Sequence, residues 1–156
     1  MDAQFSLKER RLEANVSPCR PERVAVYKDW FMGRTYSDRR EVVLVVEDES
    51  LIRASAVDMV EQAGFEAIAA SNADEAIRIL ESRNDIRAVF TDVQMPGSID
   101  GLKLAQVVKN RWPPVALIVT SGRMTVPESE LPNGGRFLGK PYRPSELETM
   151  LREVLA

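Results

Sequence analysis

No histidine occurs anywhere in the 156 residues. Serine and cysteine nucleophiles that rely on an imidazole base are therefore excluded, as are imidazole-ligated metals and any phosphohistidine formed within this chain. Cysteine occurs once, at Cys19, so no intramolecular disulfide can form, and the expectation is a reducing, cytoplasmic setting. No apolar run reaches membrane-spanning length, and the first residues hold no signal-peptide core. We expect no membrane partner. Positive charge is not in excess either: 21 Lys and Arg stand against 24 Asp and Glu, a formal net charge of −3. That is not the footprint of a nucleic-acid binder, and we expect no DNA contact. The remainder, 44% hydrophobic and 29% charged, suits a globular domain with room for an appendage.

Residues 1–41 stand apart. They hold nine Lys and Arg, seven Asp and Glu, the close pair Pro18 and Pro21, and no sustained hydrophobic period. Ser6 with Glu9 has the form of a capping box, and Val24, Tyr27 and Phe31 share one helical face, with Trp30 beside them. We expect a loosely ordered extension; a short amphipathic helix docking on the domain or a partner is the sharper alternative. A translation start at Met32 is a third reading.

Regularity begins at Val42, where VVLVV reads as a central parallel strand ending in Glu47, Asp48 and Glu49. A helix is predicted from about Ser50, with Ile52, Ala56, Met59, Val60 and Ala63 inward and Gly64 as its stop. A weaker strand spans 65–69. Asn72 and Glu75 form an N-cap signature for a helix carrying Ala73, Ala76, Ile77 and Leu80 on one face. The third strand, 88–91, ends at Asp92 and runs into Met95, Pro96 and Gly97. A helix over 100–111 should bury Leu102, Ala105 and Val108. A fourth strand over 115–119 ends at Thr120, Ser121 and Gly122, and a short fifth strand, 136–139, ends at Lys140 and Pro141. Ser145 with Glu148 has the spacing of a capping box for the last helix, whose inward face is Leu147, Met150, Leu151, Val154 and Leu155. This βα alternation predicts an α/β fold: a doubly wound, five-stranded parallel sheet of strand order 2-1-3-4-5, with helices on both faces. Its fourth helix is short or irregular, because the segment 123–135 contains Pro127, Pro132 and a Gly-Gly end.

In such a sheet the strand ends share one edge, where ligands bind. Glu47, Asp48, Asp92, Ser121 and Lys140 would therefore converge there. Each has a plain structural reading when taken singly: an acid as a helix cap, Ser-Gly as a turn, Lys-Pro as a strand exit. Together they form a site. Clustered carboxylates repel one another, and a divalent cation with the Lys140 ammonium relieves that repulsion. Hard oxygen donors with retained waters suit Mg²⁺, bound by Glu47, Asp48, Asp92 and the backbone carbonyl of Gln94. Asp92 is the candidate reactive group.

From Val42 to Ala156 the chain resembles a receiver domain of two-component response regulators. The resemblance rests on the pair Glu47-Asp48, on Asp92 with Met95-Pro96-Gly97, and on Asp100-Gly101, Ser121-Gly122 and Lys140-Pro141. It implies a phosphoacceptor, Asp92, that takes a phosphoryl group in a Mg²⁺-dependent step. The donor would be a phosphohistidine on a histidine kinase or histidine phosphotransfer protein, or a small acyl phosphate. It further implies that Ser121, Gly122 and Lys140 bind the phosphoryl oxygens and that Ser121 and Phe137 act as switch residues. Lys140-Pro141 becomes a candidate cis peptide. The chain would not be an enzyme beyond self-phosphotransfer and autodephosphorylation. It would signal to an unknown downstream protein as a monomer or weak dimer, and we expect a stand-alone receiver with no output domain. Two alternatives stay open: a Mg²⁺-dependent aspartyl-phosphate phosphohydrolase, and an interaction module that works without phosphorylation.

Overall fold

The computed structural model describes residues 39–132 and 134–156. The Ser6–Glu9 cap and the Val24, Tyr27 and Phe31 face lie outside the described residues.

Five strands alternate with helices. They are β1 (Val42–Val46), β2 (Glu66–Ala70), β3 (Ile86–Asp92), β4 (Ala116–Ser121) and β5 (Arg136–Gly139). All neighbours pair in parallel, in the order β2-β1-β3-β4-β5. The helices are α1 (Ser50–Gln62), α2 (Ala73–Ser82), α3 (Gly101–Arg111) and α4 (Pro144–Leu155). Every residue of β1 is buried, as its unbroken β-branched and aliphatic run requires of a central strand.

The sheet divides the core into two layers. On one face α2 contributes Ala73, Ala76 and Leu80, and α3 contributes Leu104, Ala105 and Val108, against Leu44, Val89 and Leu117. On the other, Ala56 and Val60 of α1 and Leu147 and Leu151 of α4 pack on Val43, Val45, Phe90 and Ile118. Each fully buried valine, leucine or isoleucine among them contributes about 1.5–3 kcal/mol relative to exposure. Arg152 of α4 donates to the Ala63 carbonyl at the end of α1 (3.0 Å), fastening the two helices of this layer.

Some local chemistry follows the sequence reading closely. Asn72 accepts from the Glu75 amide (2.8 Å) and caps α2. Gly64 follows α1 at φ +95°, a conformation that suits glycine at a helix stop. Among the described residues between β4 and β5, the one helical element is a 3₁₀ turn, Glu128–Glu130, in keeping with the prolines. This segment is nevertheless anchored, with Val126 and Leu131 buried in the first layer.

Other details differ. β2 begins one residue later than predicted and β3 two residues earlier, while β4 continues through Ser121. Asp100 lies outside α3 and caps it, accepting from the Lys103 amide (2.8 Å). Leu104, not Leu102, is the fully buried leucine of α3. The reason is Gly101. A Cβ placed there would lie 1.9 Å from the Asp92 carbonyl oxygen, so the helix start presses on the end of β3 and fixes the rotation of α3. The capping box of α4 also moves. Pro144 occupies the first helical position and holds Arg143 extended, and Glu146 accepts from the Arg143 amide (2.6 Å).

Gly101→Ala therefore has to displace backbone beneath the site. We expect a loss of about 1–3 kcal/mol or more in urea unfolding. Loss of the α2 cap in Asn72→Ala costs about 1 kcal/mol. A Gly101→Ala protein as stable as its parent would contradict the contact.

Candidate functional site

β1 and β3 are neighbours, so their carboxyl ends place Glu47, Asp48 and Asp92 side by side. One carboxylate oxygen from each falls within 4.8 Å of the others. Glu47 and Asp92 are buried, and Asp48 is exposed. Lys140, one residue past β5, reaches across β4. Its Nζ lies 2.7 Å from Glu47 Oε2 and 3.4 Å from Asp92 Oδ1. The first distance is a charge-assisted hydrogen bond; the second is an ion pair only. The opposite edge of Glu47 is held by the Glu49 amide, which donates to Oε1 at 3.3 Å. Beneath the cluster, the Arg53 guanidinium donates to the carbonyls of Glu47 (2.7 Å) and Asp48 (3.1 Å), locking the exit of β1 onto α1.

The electrostatics match the geometry. Burial pushes the Glu47 carboxyl above its ordinary value of 4.5; the Lys140 hydrogen bond and charge pull it back, and the Asp92 charge raises it again. Tyr142, two residues past Lys140, is pushed up to about 12, first by burial and then by the charges of Glu47 and Asp92. Its ring meets Phe90 edge-on, with centroids 5.6 Å apart.

The other predicted residues lie around this cluster and along β4 and β5. Gly122 lies against Lys140, and a Cβ there would sit 3.6 Å from Lys140 Cβ, in ordinary contact. Gln94 is exposed in the loop after β3. The Lys140-Pro141 peptide is cis. Ser121 is buried, and its Oγ accepts from the amides of Arg123 (3.4 Å) and Met124 (3.3 Å). Alternation along β4 puts Ser121 on the face of Val119, opposite the face that Thr120 shares with Ile118. Phe137 is half-buried against the first core layer and pairs with Val119.

Sequence reasoning passed over three contributors. Arg53 follows the acidic pair by one helical turn, a spacing that was visible. Gly101 was noticed only as part of a motif. Thr120 was read as a strand end, although it lies directly opposite Asp92 in the sheet.

A doubly wound parallel sheet defines a flavodoxin-like domain, and here its carboxyl edge carries three acids and a lysine. A family model described as the response regulator receiver domain matches residues 43–152, and the chain belongs to that family. It is 32% identical over 116 residues to an NtrX-like response regulator of Rickettsia felis, a match covering 72% of this chain and 24% of that protein. The chain thus spans about a quarter of that regulator's length. A response regulator receiver protein from Sinorhizobium medicae superposes with a TM-score of 0.70 at 25% identity, over 76% of this chain and 96% of that one. A receiver domain protein from Clostridium thermocellum gives 0.67 at 27% identity, over 73% and 93%. Among the described residues no helix is long and apolar enough to cross a membrane.

The raised Glu47 carboxyl has a pH consequence. Between its folded value and 4.5 the folded state holds the extra proton, so stability rises as pH falls through that window. Glu47→Gln removes this slope. In urea unfolding without divalent metal, the variant should gain on its parent as pH rises from 4.5 to neutral. A difference independent of pH, or one running the other way, would contradict the buried-carboxylate assignment.

Proposed function

We propose that residues 42–156 form the phosphoacceptor receiver of a two-component phosphorelay, preceded by residues 1–41 as an extension. The observation that carries this reading is Lys140 Nζ lying between two buried carboxylates, Glu47 and Asp92, within a cluster of three. Such a cluster is costly without a cation, and its donors are all hard oxygens, which fits Mg²⁺. Glu47, Asp48, Asp92 and the Gln94 carbonyl would hold the ion. When bound, it supplies neutralising charge for the acids and the incoming phosphoryl group.

The protein's own part is nucleophilic attack and positioning. An Asp92 oxygen attacks the phosphorus of a partner's phosphohistidine. The new P–O bond forms as the P–N bond breaks, and the imidazole leaves with the electron pair. As the phosphoryl group approaches, Lys140 turns from Glu47 to one of its oxygens. Ser121 donates to another, and Gly122 leaves room for the group. Movement of Ser121 is relayed through the segment after β4 to Phe137.

Docking of the donor beside the acid is supported by an apolar hollow next to Lys140 and Gly122, lined by Ile52, Met59, Pro141, Tyr142 and the 79% exposed Leu51. The phosphohydrolase alternative has less support. Such enzymes commonly carry a general acid two residues beyond the nucleophile, and this chain has Gln94 there. The proline-broken segment between β4 and β5 offers no regular helix for a symmetric dimer, which supports a monomer or weak dimer that signals by protein contact.

Incubation with acetyl phosphate and Mg²⁺ should add one phosphoryl group, lost in Asp92→Asn and in the presence of EDTA. Labelling that persists in Asp92→Asn contradicts the acceptor assignment, and rapid turnover of a generic phosphate ester would favour the hydrolase. Light scattering with beryllofluoride should show a protein that stays monomeric or nearly so. A complete shift to dimer would restore a symmetric mode.

A further inference from the structure

One polar group at the site lacks the partner that buried groups ordinarily have. The Thr120 hydroxyl is buried, with the residue only 2% exposed, and it is the one buried side-chain N or O atom among the described residues without a hydrogen-bond partner. One strand away, Asp92 is buried, and Lys140 at 3.4 Å stands beyond good hydrogen-bond distance. A donor without an acceptor thus neighbours a carboxylate held only by a long ion pair.

The register makes them partners. Asp92 pairs with Thr120, and Thr120 pairs with Leu138, in adjacent parallel ladders. Side chains of paired residues share a face, so Asp92, Thr120 and Leu138 form one row, with Lys140 a step above Leu138. Ser121, which has to move to meet the phosphoryl group in the reading above, starts on the other face, engaged by two backbone amides. Thr120 is therefore the β4 hydroxyl on the Asp92 side of the sheet. A threonine side chain changes wells by rotation about a single bond, and the carboxylate torsion of aspartate is broad. Rotation of the two side chains is therefore the movement that would bring the pair together.

We propose that Thr120 is a positioning residue for Asp92. Its hydroxyl donates to one carboxylate oxygen when Lys140 is drawn to the phosphoryl group, and so directs the other oxygen at phosphorus. This rests on the receiver reading above and adds to it a residue that the family resemblance did not supply. It also accounts for an orphan hydroxyl in an otherwise satisfied core, where a valine would fit the same space.

The test compares Thr120→Val, which keeps the shape, with Thr120→Ser, which keeps the hydroxyl. Unphosphorylated Thr120→Val should melt at or above the parent temperature, because an orphan donor is removed. Its phosphorylation by acetyl phosphate and its beryllofluoride affinity should each fall about tenfold, the effect of losing one hydrogen bond to a charged acceptor. Thr120→Ser should recover most of both. If Thr120→Val is phosphorylated and binds beryllofluoride like the parent, the hydroxyl is only a buried polar atom and the proposal is overturned. It is overturned equally if Thr120→Ser is as impaired as Thr120→Val. If the parent itself takes no phosphoryl group on Asp92, it is the receiver reading that fails.

Discussion

Two buried carboxylates meet one ammonium at the carboxyl edge of the sheet, with a third acid beside them, and the fold brings them together. The strand order does this. Only with β1 beside β3 do acids 44 residues apart, Asp48 and Asp92, become neighbours. Lys140 arrives from β5, two strands from Asp92, and bridges to Glu47 across the intervening strands. The surrounding contacts stiffen this arrangement: Arg53 clamps the carbonyls at the end of β1, and Gly101 lets α3 press on the backbone of Asp92.

The lysine is shared unequally. It hydrogen-bonds to Glu47 at 2.7 Å and stands off from Asp92 at 3.4 Å. An acceptor carboxylate held too tightly by an ammonium would be a poor nucleophile; one left free would repel its acidic neighbours. In the observed arrangement Asp92 has the longer contact to Lys140, and one ammonium stands against three carboxylates, so the site is short of positive charge. That shortage is the physical reason to read the cluster as a site completed by a divalent ion and a phosphoryl group.

Much of this was legible in the sequence because it depends on pattern. The VVLVV strand, the RFLG strand and the Asn72 cap follow from periodicity and capping chemistry, and the two prolines announced the loss of a helix between β4 and β5. The convergence of Glu47, Asp92 and Lys140 followed from the strand order alone. What escaped depends on contacts that spacing does not reveal. The choice of Leu104 over Leu102 is made by the approach of Gly101 to Asp92, and the start of α4 by the restriction that Pro144 imposes on Arg143. The face on which Thr120 stands is set by a register that became certain only when β4 was seen to pair Thr120 with Asp92.

The central claim is that one set of carboxylates serves both as cation site and as phosphoryl acceptor. The most direct measurement is a Mg²⁺ titration of melting temperature and of acetyl phosphate labelling rate, on the parent and on Asp48→Asn. A ligand that binds only the folded state raises its stability in a saturable way. The parent should show this rise, with a labelling rate that climbs over the same Mg²⁺ range, and both curves should move together to higher Mg²⁺ in Asp48→Asn. If Asp48→Asn bound Mg²⁺ as the parent does, or if labelling proceeded without regard to Mg²⁺, cation site and acceptor would be separate and the account would be contradicted.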